Sequence, residues 1–241
     1  MKELTTVELR SLVRLLDEDD ATSLALVRRQ VLCAGIAVLP FLEELKKDST
    51  AELSAVADSI AQEIRFKRLR REFAALAVVQ DPDLEKGAFL LARFAYPVID
   101  PALYSAWMDR VAAKVQDDLP SDADAAMTFQ RLNSHLFHAM GFSGNARHYD
   151  DPENSYLNRV IENRRGVPES LSVLYLLLAK RLRLGAYGVS TPGHFLVGFR
   201  AGQHACFIDA YNRGRLLDLT EVRRMLARGG FEFRPDFIAR C

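Results

Sequence analysis

The sequence predicts an α+β protein in which a mainly helical N-terminal region, a HEAT-like hairpin pair plus further helices, packs on a core with a small antiparallel sheet. Three observations carry this. Apolar residues recur at helical spacing as far as Met140, residues 171–179 are apolar almost all round, and segments of strand period appear only after Gly185. The spacing divides the chain into 1–70, a helical repeat-like region, 71–140, a helical region packed on the core, and 141–241, the α/β core itself.

Residues 1–70 read as four helices with an internal echo. A shift of 29 positions superposes Leu9 on Val38, Leu12 on Phe41, Val13 on Leu42, Leu16 on Leu45, Leu24 on Leu53, Val27 on Val56 and Val31 on Ile60. The acidic turn at 17–20 then aligns with the polar turn at 46–50. Two stacked helical hairpins fit this pattern, either as a short repeat pair or as two similar hairpins without common ancestry. Thr5 and Glu8 form a capping box, and Gly35 ends the second helix.

Further helices are expected near 82–95 and 101–117, each opened by an Asp-Pro pair, Asp81-Pro82 and Asp100-Pro101, with aspartate as cap and proline in the first turn. Ser121 is expected to cap the next helix. Its apolar face carries Met127, Phe129, Leu132, Leu136, Phe137 and Met140, and Gly141 closes it. Residues 141–154 are polar and turn-rich, which predicts a flexible connection.

Asn154 is expected to cap a short helix over 155–164. A second helix follows over 168–183, and its apolar circumference requires burial. Strands are predicted at 186–190, 194–200, 205–209 and 215–217, the middle two forming a hairpin at Gly202. Phe195, Val197 and Phe199 point to one face and Leu196 to the other, so both faces need cover. The buried helix is expected on one face and the N-terminal helices on the other.

Composition narrows the function classes. The chain has 241 residues, no formal net charge and 49% hydrophobic residues. Residues 151–241 hold 14 Lys and Arg against 9 Asp and Glu, leaving 18 against 23 in residues 1–150, so the two parts carry opposite charges of five. No dense basic run with interleaved aromatics appears, and nucleic-acid binding is not expected. The apolar run 171–179 is shorter than the roughly 20 residues a bilayer span needs, and no membrane anchor is expected. The first residues, Met1-Lys2-Glu3-Leu4-Thr5, lack a secretion-signal core, and Cys33, Cys206 and Cys241 are odd in number, scattered and without a CxxC pair. Both features predict a cytoplasmic protein with reduced thiols. His135 and His138 are spaced as metal ligands, but no matching Cys or carboxylate completes a set, so no metal and no cofactor is expected.

Near the C-terminus a hydroxyl, an imidazole and a carboxylate follow in helix, strand, strand order at Ser170, His194 and Asp209. Ser170 falls in a first helical turn, where free N–H groups and the dipole favour an anion, so the backbone at Leu171, with Asn154 and Arg164, is a candidate oxyanion or substrate-binding set. His194 opens one strand and Asp209 closes its neighbour, which suits a base and its orienting acid. Two readings stay open. Ser170 is a nucleophile, or it is a helix-start residue beside a satisfied His194–Asp209 pair. Cys206 lies three positions before Asp209 on the same strand, and so faces the other side.

The runs Asp151-Pro152-Glu153-Asn154-Ser155-Tyr156-Leu157-Asn158, Arg164-Arg165-Gly166-Val167-Pro168-Glu169-Ser170-Leu171-Ser172, Pro192-Gly193-His194-Phe195-Leu196-Val197 and Ile208-Asp209-Ala210-Tyr211-Asn212 resemble the SirB family of transglutaminase-like proteins over about 82–217. The resemblance implies a papain-like core with the nucleophile position at a helix N-terminus and His and Asp on adjacent strands. Active transglutaminase-like enzymes carry cysteine there, whereas this family typically carries serine, as Ser170 does here. Glu169 departs from an expected apolar residue, and Asp209-Ala210-Tyr211 from the usual Asp-Pro-Phe. The functional expectation is a regulatory or protein-binding module with a protein or peptide partner. The alternative is a serine-dependent hydrolase or acyl transferase using Ser170, His194 and Asp209.

Overall fold

In the computed structural model, residues 4–17, 20–47 and 49–241 are described. They fall into two compact units, Met1–Pro82 and Asp83–Cys241. The first holds helices α1 (Thr6–Arg14), α2 (Ala21–Ala34), α3 (Leu39–Lys47) and α4 (Ala51–Ala77). Local chemistry sets their ends. Glu8 accepts from Thr5 N at 2.7 Å and Thr5 Oγ1 from Glu8 N at 3.3 Å, closing the expected capping box. Asp20 caps α2 through Ser23 N, and Gly35, at φ +65°, ends it.

Every residue of the 29-position echo lies in or against one core, with Val13, Val31, Val38, Leu42 and Ile60 almost wholly enclosed. The turns expected at 17–20 and 46–50 include positions 18, 19 and 48, which lie outside the described residues. Because α4 runs unbroken through residue 70, the expected boundary there moves to Pro82. The segment Thr22–Lys47 has the length and mean hydropathy, 1.6, of a membrane span. Here it is interrupted at Gly35 by a 3₁₀ turn, and its Val27, Val31, Val38 and Leu42 are buried within this unit.

The second unit contains α5 (Leu84–Ala95), α6 (Pro101–Asp117), α7 (Ala125–Asn133), α8 (Leu157–Asn163), α9 (Pro168–Arg181) and α10 (Leu219–Arg228). Its strands are β1 (Ser143–Gly144) and β2 (Arg165–Gly166), a short parallel pair, and a four-stranded antiparallel meander of β3 (Ala186–Thr191), β4 (His194–Ala201), β5 (His204–Asp209) and β6 (Arg215–Leu217). Asp100 caps α6 as expected, with Pro101 at the first position. The other two predicted caps are corrected. Asp83, not Asp81, caps α5 by accepting from Glu85 N and Lys86 N, and Asp124, not Ser121, caps α7 by accepting from Met127 N. In each case an aspartate nearer the apolar run competes successfully for the free N–H groups.

Helix α9 is the axis of this unit. Leu171, Leu174, Tyr175, Leu177 and Leu178 are almost fully enclosed by α5–α8 and by Val197, Phe199 and Ile208 of the sheet. Phe129 of α7 stacks on Phe199 with ring centroids 4.2 Å apart. At the far end of α9, Arg181 reaches Asp109 at 2.6 Å, Ser105 at 2.9 Å and Glu85 at 2.9 Å, tying together α5, α6 and α9.

The covering of the sheet differs from expectation. α9 takes the face of Val197 and Phe199, and the opposite face, with Val189, Leu196, Phe207 and Leu217, packs on Val222 and Leu226 of α10. Period-two alternation separates the faces without saying which element meets which. The lid on the second face therefore comes from residues after the sheet and not from the N-terminal helices. Asp218 and Glu221 start α10 with a capping box, a signal readable in the sequence.

Candidate functional site

His194 and Asp209 meet because of the meander. Thr191 pairs with His194 across the Pro192-Gly193 turn, where Gly193 sits at φ +71°, and Val197 pairs with Ile208. Leu196 and Asp209, each one residue beyond that pair, share the other face, and His194 shares it by period two. His194 Nε2 is 2.9 Å from Asp209 Oδ1. Asn212 completes the carboxylate shell, its backbone N donating to Oδ1 at 3.0 Å and its Nδ2 to Oδ2 at 2.7 Å. Burial pushes the Asp209 carboxyl up, but the bond and charge of His194 together with the two Asn212 bonds outweigh it and hold the group below the ordinary carboxylate value. An ionised Asp209 only accepts, so the hydrogen on Nε2 is donated to it. Nδ1 then faces away from this bond, with no hydrogen-bond partner among the described residues.

Ser170 is placed differently. It occupies the third position of α9, where its Oγ accepts from Val167 N at 3.1 Å and lies 2.6 Å from Asn154 O, to which it donates. This is the reciprocal half of a capping box, with serine in the role that Glu or Gln usually fills. No hydrogen bond joins Ser170 to His194. Tyr211 and two glycines lie close to one or the other of them. Tyr211 lies edge-on to His194 with ring centroids 6.0 Å apart, and a Cβ built at Gly144 would fall 2.3 Å from its ring. Gly144 pairs with Gly166, where a Cβ would fall 2.6 Å from Ser170 Oγ.

The candidate oxyanion set is also engaged. Leu171 N donates to Val167 O at 3.1 Å, so that N–H is not presented to a ligand. Arg164, at φ +56°, donates from Nη1 to Met140 O at 2.9 Å. Asn154 is not the cap of α8, which begins after Tyr156. Its buried amide donates to His148 O at 2.6 Å and Tyr149 O at 3.1 Å, and accepts from Asn145 at 2.9 Å. These bonds, with Gly144 N to Tyr211 O at 2.8 Å and Asn145 N to Gly166 O at 3.1 Å, fasten the segment 141–154 that was expected to be a flexible connection. Glu169 is exposed, so its charge is tolerated where the family pattern has an apolar residue. Cys206 packs on the α9 side, away from Asp209.

A cleft of about 560 Å³ opens beside the imidazole, and His194, Asp209, Tyr211, Arg224, Arg228 and Phe231 are among the residues that line it. Ser170 is not among its lining residues. Asn212 and Tyr211 stood within the recognised Asp209 motif, but their roles were not legible there. The arginines of α10 were overlooked, although their spacing of four after a capping box signals one helix face. No group of His, Cys, Asp and Glu suited to a metal ion occurs among the described residues.

A buried helix packed on an antiparallel meander, with a histidine and an aspartate joined across adjacent strands, defines a transglutaminase-like α+β domain. Residues 102–241, more than half of the chain, match the family model described as the transglutaminase-like superfamily, and the chain belongs to that superfamily. It is similar to the UPF0162 protein of Xylella fastidiosa (strain 9a5c), 38% identical over 151 residues, covering 62% of this chain and 54% of that protein. It is similar also to the UPF0162 protein of Vibrio cholerae serotype O1, 26% identical over 135 residues, covering 54% and 48%. F-box only protein 21 of Homo sapiens is 30% identical over 105 residues, which is 40% of this chain and 17% of that protein. The chain thus spans about half the length of the bacterial relatives it matches. No solved structure matches it.

Proposed function

We propose that this chain is a SirB-type, cytoplasmic regulatory module that binds a protein or peptide partner and keeps the triad positions Ser170, His194 and Asp209 without using Ser170 as a nucleophile. The observation that carries this reading is the commitment of the Ser170 hydroxyl to Asn154 O at 2.6 Å, with no base bonded to it. A serine nucleophile needs concerted removal of its proton by a base within reach, because unlike a thiol it cannot be pre-ionised by a helix end. Here the proton points at a carbonyl, and the oxygen holds the Val167 N–H.

One observation favours the alternative of a serine-dependent hydrolase or acyl transferase. The Nδ1 atom of His194 is unoccupied while Nε2 is oriented by Asp209, as in a base with its orienter. That reading requires Ser170 to break its bonds to Asn154 and Val167 and to turn toward His194. A fluorophosphonate probe separates the two. The binding module leaves Ser170 unlabelled, whereas labelling that disappears in Ser170→Ala overturns it in favour of the hydrolase.

A further inference from the structure

Charge pairing in the cleft beside His194 is incomplete in one direction. Its carboxylates are all engaged: Asp209 by His194 and Asn212, and Glu221 by Arg215 at 2.8 Å and by Asp218 N at 3.1 Å. Arg224 and Arg228 are exposed one helical turn apart on α10 and have no carboxylate partner among the described residues. The neighbouring Arg223 is turned elsewhere, over the Phe233 ring at 4.5 Å. Phe231, 42% exposed, adds an apolar wall next to them. His194 lines the same cleft, and with the Nε2 hydrogen donated to Asp209 its Nδ1 is an acceptor.

We infer that this cleft receives an acidic peptide segment, whose carboxylates pair with Arg224 and Arg228 and whose backbone N–H groups meet His194 Nδ1. The inference rests on the protein-binding reading above and specifies the partner's chemistry. Two unpaired guanidinium groups at the rim select for negative charge, and guanidinium suits planar carboxylates. A nucleic-acid strand fits less well. Its charge recurs at every nucleotide, whereas the cleft offers two unpaired guanidinium groups and the sequence has no dense basic run with interleaved aromatics to continue them. A peptide supplies donors along its backbone and can place apolar side chains on Phe231 between its charges.

Fluorescence anisotropy with a labelled Glu-Leu peptide tests this on the full chain, against Gln-Leu and single-stranded oligonucleotide probes of equal length. The Glu-Leu peptide is expected to bind with an affinity that falls as salt rises. Reversing both charges with Arg224→Glu and Arg228→Glu weakens it by about tenfold or more, as loss of charge-assisted bonds should. Arg224→Lys with Arg228→Lys keeps most of the binding, and Arg110→Glu, on the exposed side of α6, leaves it unchanged. Circular dichroism confirms that each variant folds. No binding of the Glu-Leu peptide, equal binding of Gln-Leu, affinity undiminished by the double reversal, or tighter binding of the oligonucleotide each overturns the inference. Fluorophosphonate labelling of Ser170 does not enter these outcomes, so the acidic-peptide assignment can fail while the non-catalytic reading of Ser170 stands.

Discussion

His194 Nε2 and Asp209 Oδ1, 15 residues apart in sequence, lie 2.9 Å apart at the ends of adjacent antiparallel strands. The pair is anchored from both sides, by the Pro192-Gly193 turn before His194 and by the two Asn212 bonds after Asp209. It is a polar element on a sheet face that elsewhere holds the apolar cluster of Val189, Leu196, Phe207 and Leu217 and the Arg215–Glu221 ion pair.

The Asp209 carboxyl is held below its ordinary value in the folded protein. A depressed acid contributes stability that is present above the unfolded value, about 3.9 for aspartate, and is lost as pH falls through the lower folded value. Asp209→Asn is expected to reduce stability at neutral pH by about 1–3 kcal/mol, because it removes the negative charge facing His194 and replaces with a donor the oxygen that accepts from Asn212 Nδ2. Denaturant titrations should show the gap between wild type and variant closing below about pH 4. A gap independent of pH down to acid unfolding would mean that the carboxylate's charge contributes nothing.

Ser170→Ala removes the nearer of the two acceptors of Val167 N, which also reaches Asn154 O at 3.3 Å, and the donor to Asn154 O at a buried helix start. A loss of about 1–2 kcal/mol is expected, read from the midpoint of urea unfolding. A neutral or stabilising effect would show that the hydroxyl is not a structural cap.

Ser170→Cys places a thiol in the same buried pocket, between two carbonyl oxygens and against Gly166. Carbonyl neighbours do not stabilise a thiolate, so iodoacetamide at neutral pH should modify it more slowly than the exposed Cys33. Faster alkylation at position 170, resolved by peptide mass mapping, would point to an activated site and revive the catalytic reading.

Arg181 of α9 joins Glu85 of α5 to Ser105 and Asp109 of α6. Asp109 is largely exposed, so its share is small, and the Glu85 and Ser105 bonds carry most of the effect. Arg181→Ala should cost about 1–3 kcal/mol, while Arg181→Lys recovers only part of it, because lysine cannot present the guanidinium fork to several partners at once. Full recovery by lysine in equilibrium denaturation would reduce the cluster to a point charge.

Removing α10 should expose Leu196, Phe207 and Leu217 together and leave the sheet prone to association. A fragment of residues 83–241 is expected to unfold cooperatively, whereas 83–217 should bind a hydrophobic dye and aggregate. Leu226→Ala in the full chain should cost about 2–5 kcal/mol. A monomeric, cooperative 83–217 fragment would remove α10 from the structural core.

Much of the architecture was legible in residue pattern alone. The echo of apolar residues before Pro82, the all-apolar stretch that became α9 and the strand alternation after Gly185 each reflect burial, which repeats at the period of the backbone and so marks the sequence directly. The turn chemistry at Gly35 and Gly202 was readable for a related reason, since it depends on one or two residues. The His194–Asp209 contact followed from the length of a hairpin.

Tertiary structure alone decided what each of these faces meets. Strand parity distinguishes two sides of a sheet but names no neighbour, and so α10, not the N-terminal helices, was found against Leu196. Helix position put Ser170 at an N-terminus in either reading, yet only the close approach of Asn154 O shows what its hydroxyl bonds. Hydrogen-bond partners distant in sequence compete for one polar group, and the winner is set by where the packed backbone leaves its unpaired carbonyls and N–H groups. The identities of Ser170, His194 and Asp209 belong to the sequence, while the bonds each of them makes belong to the fold.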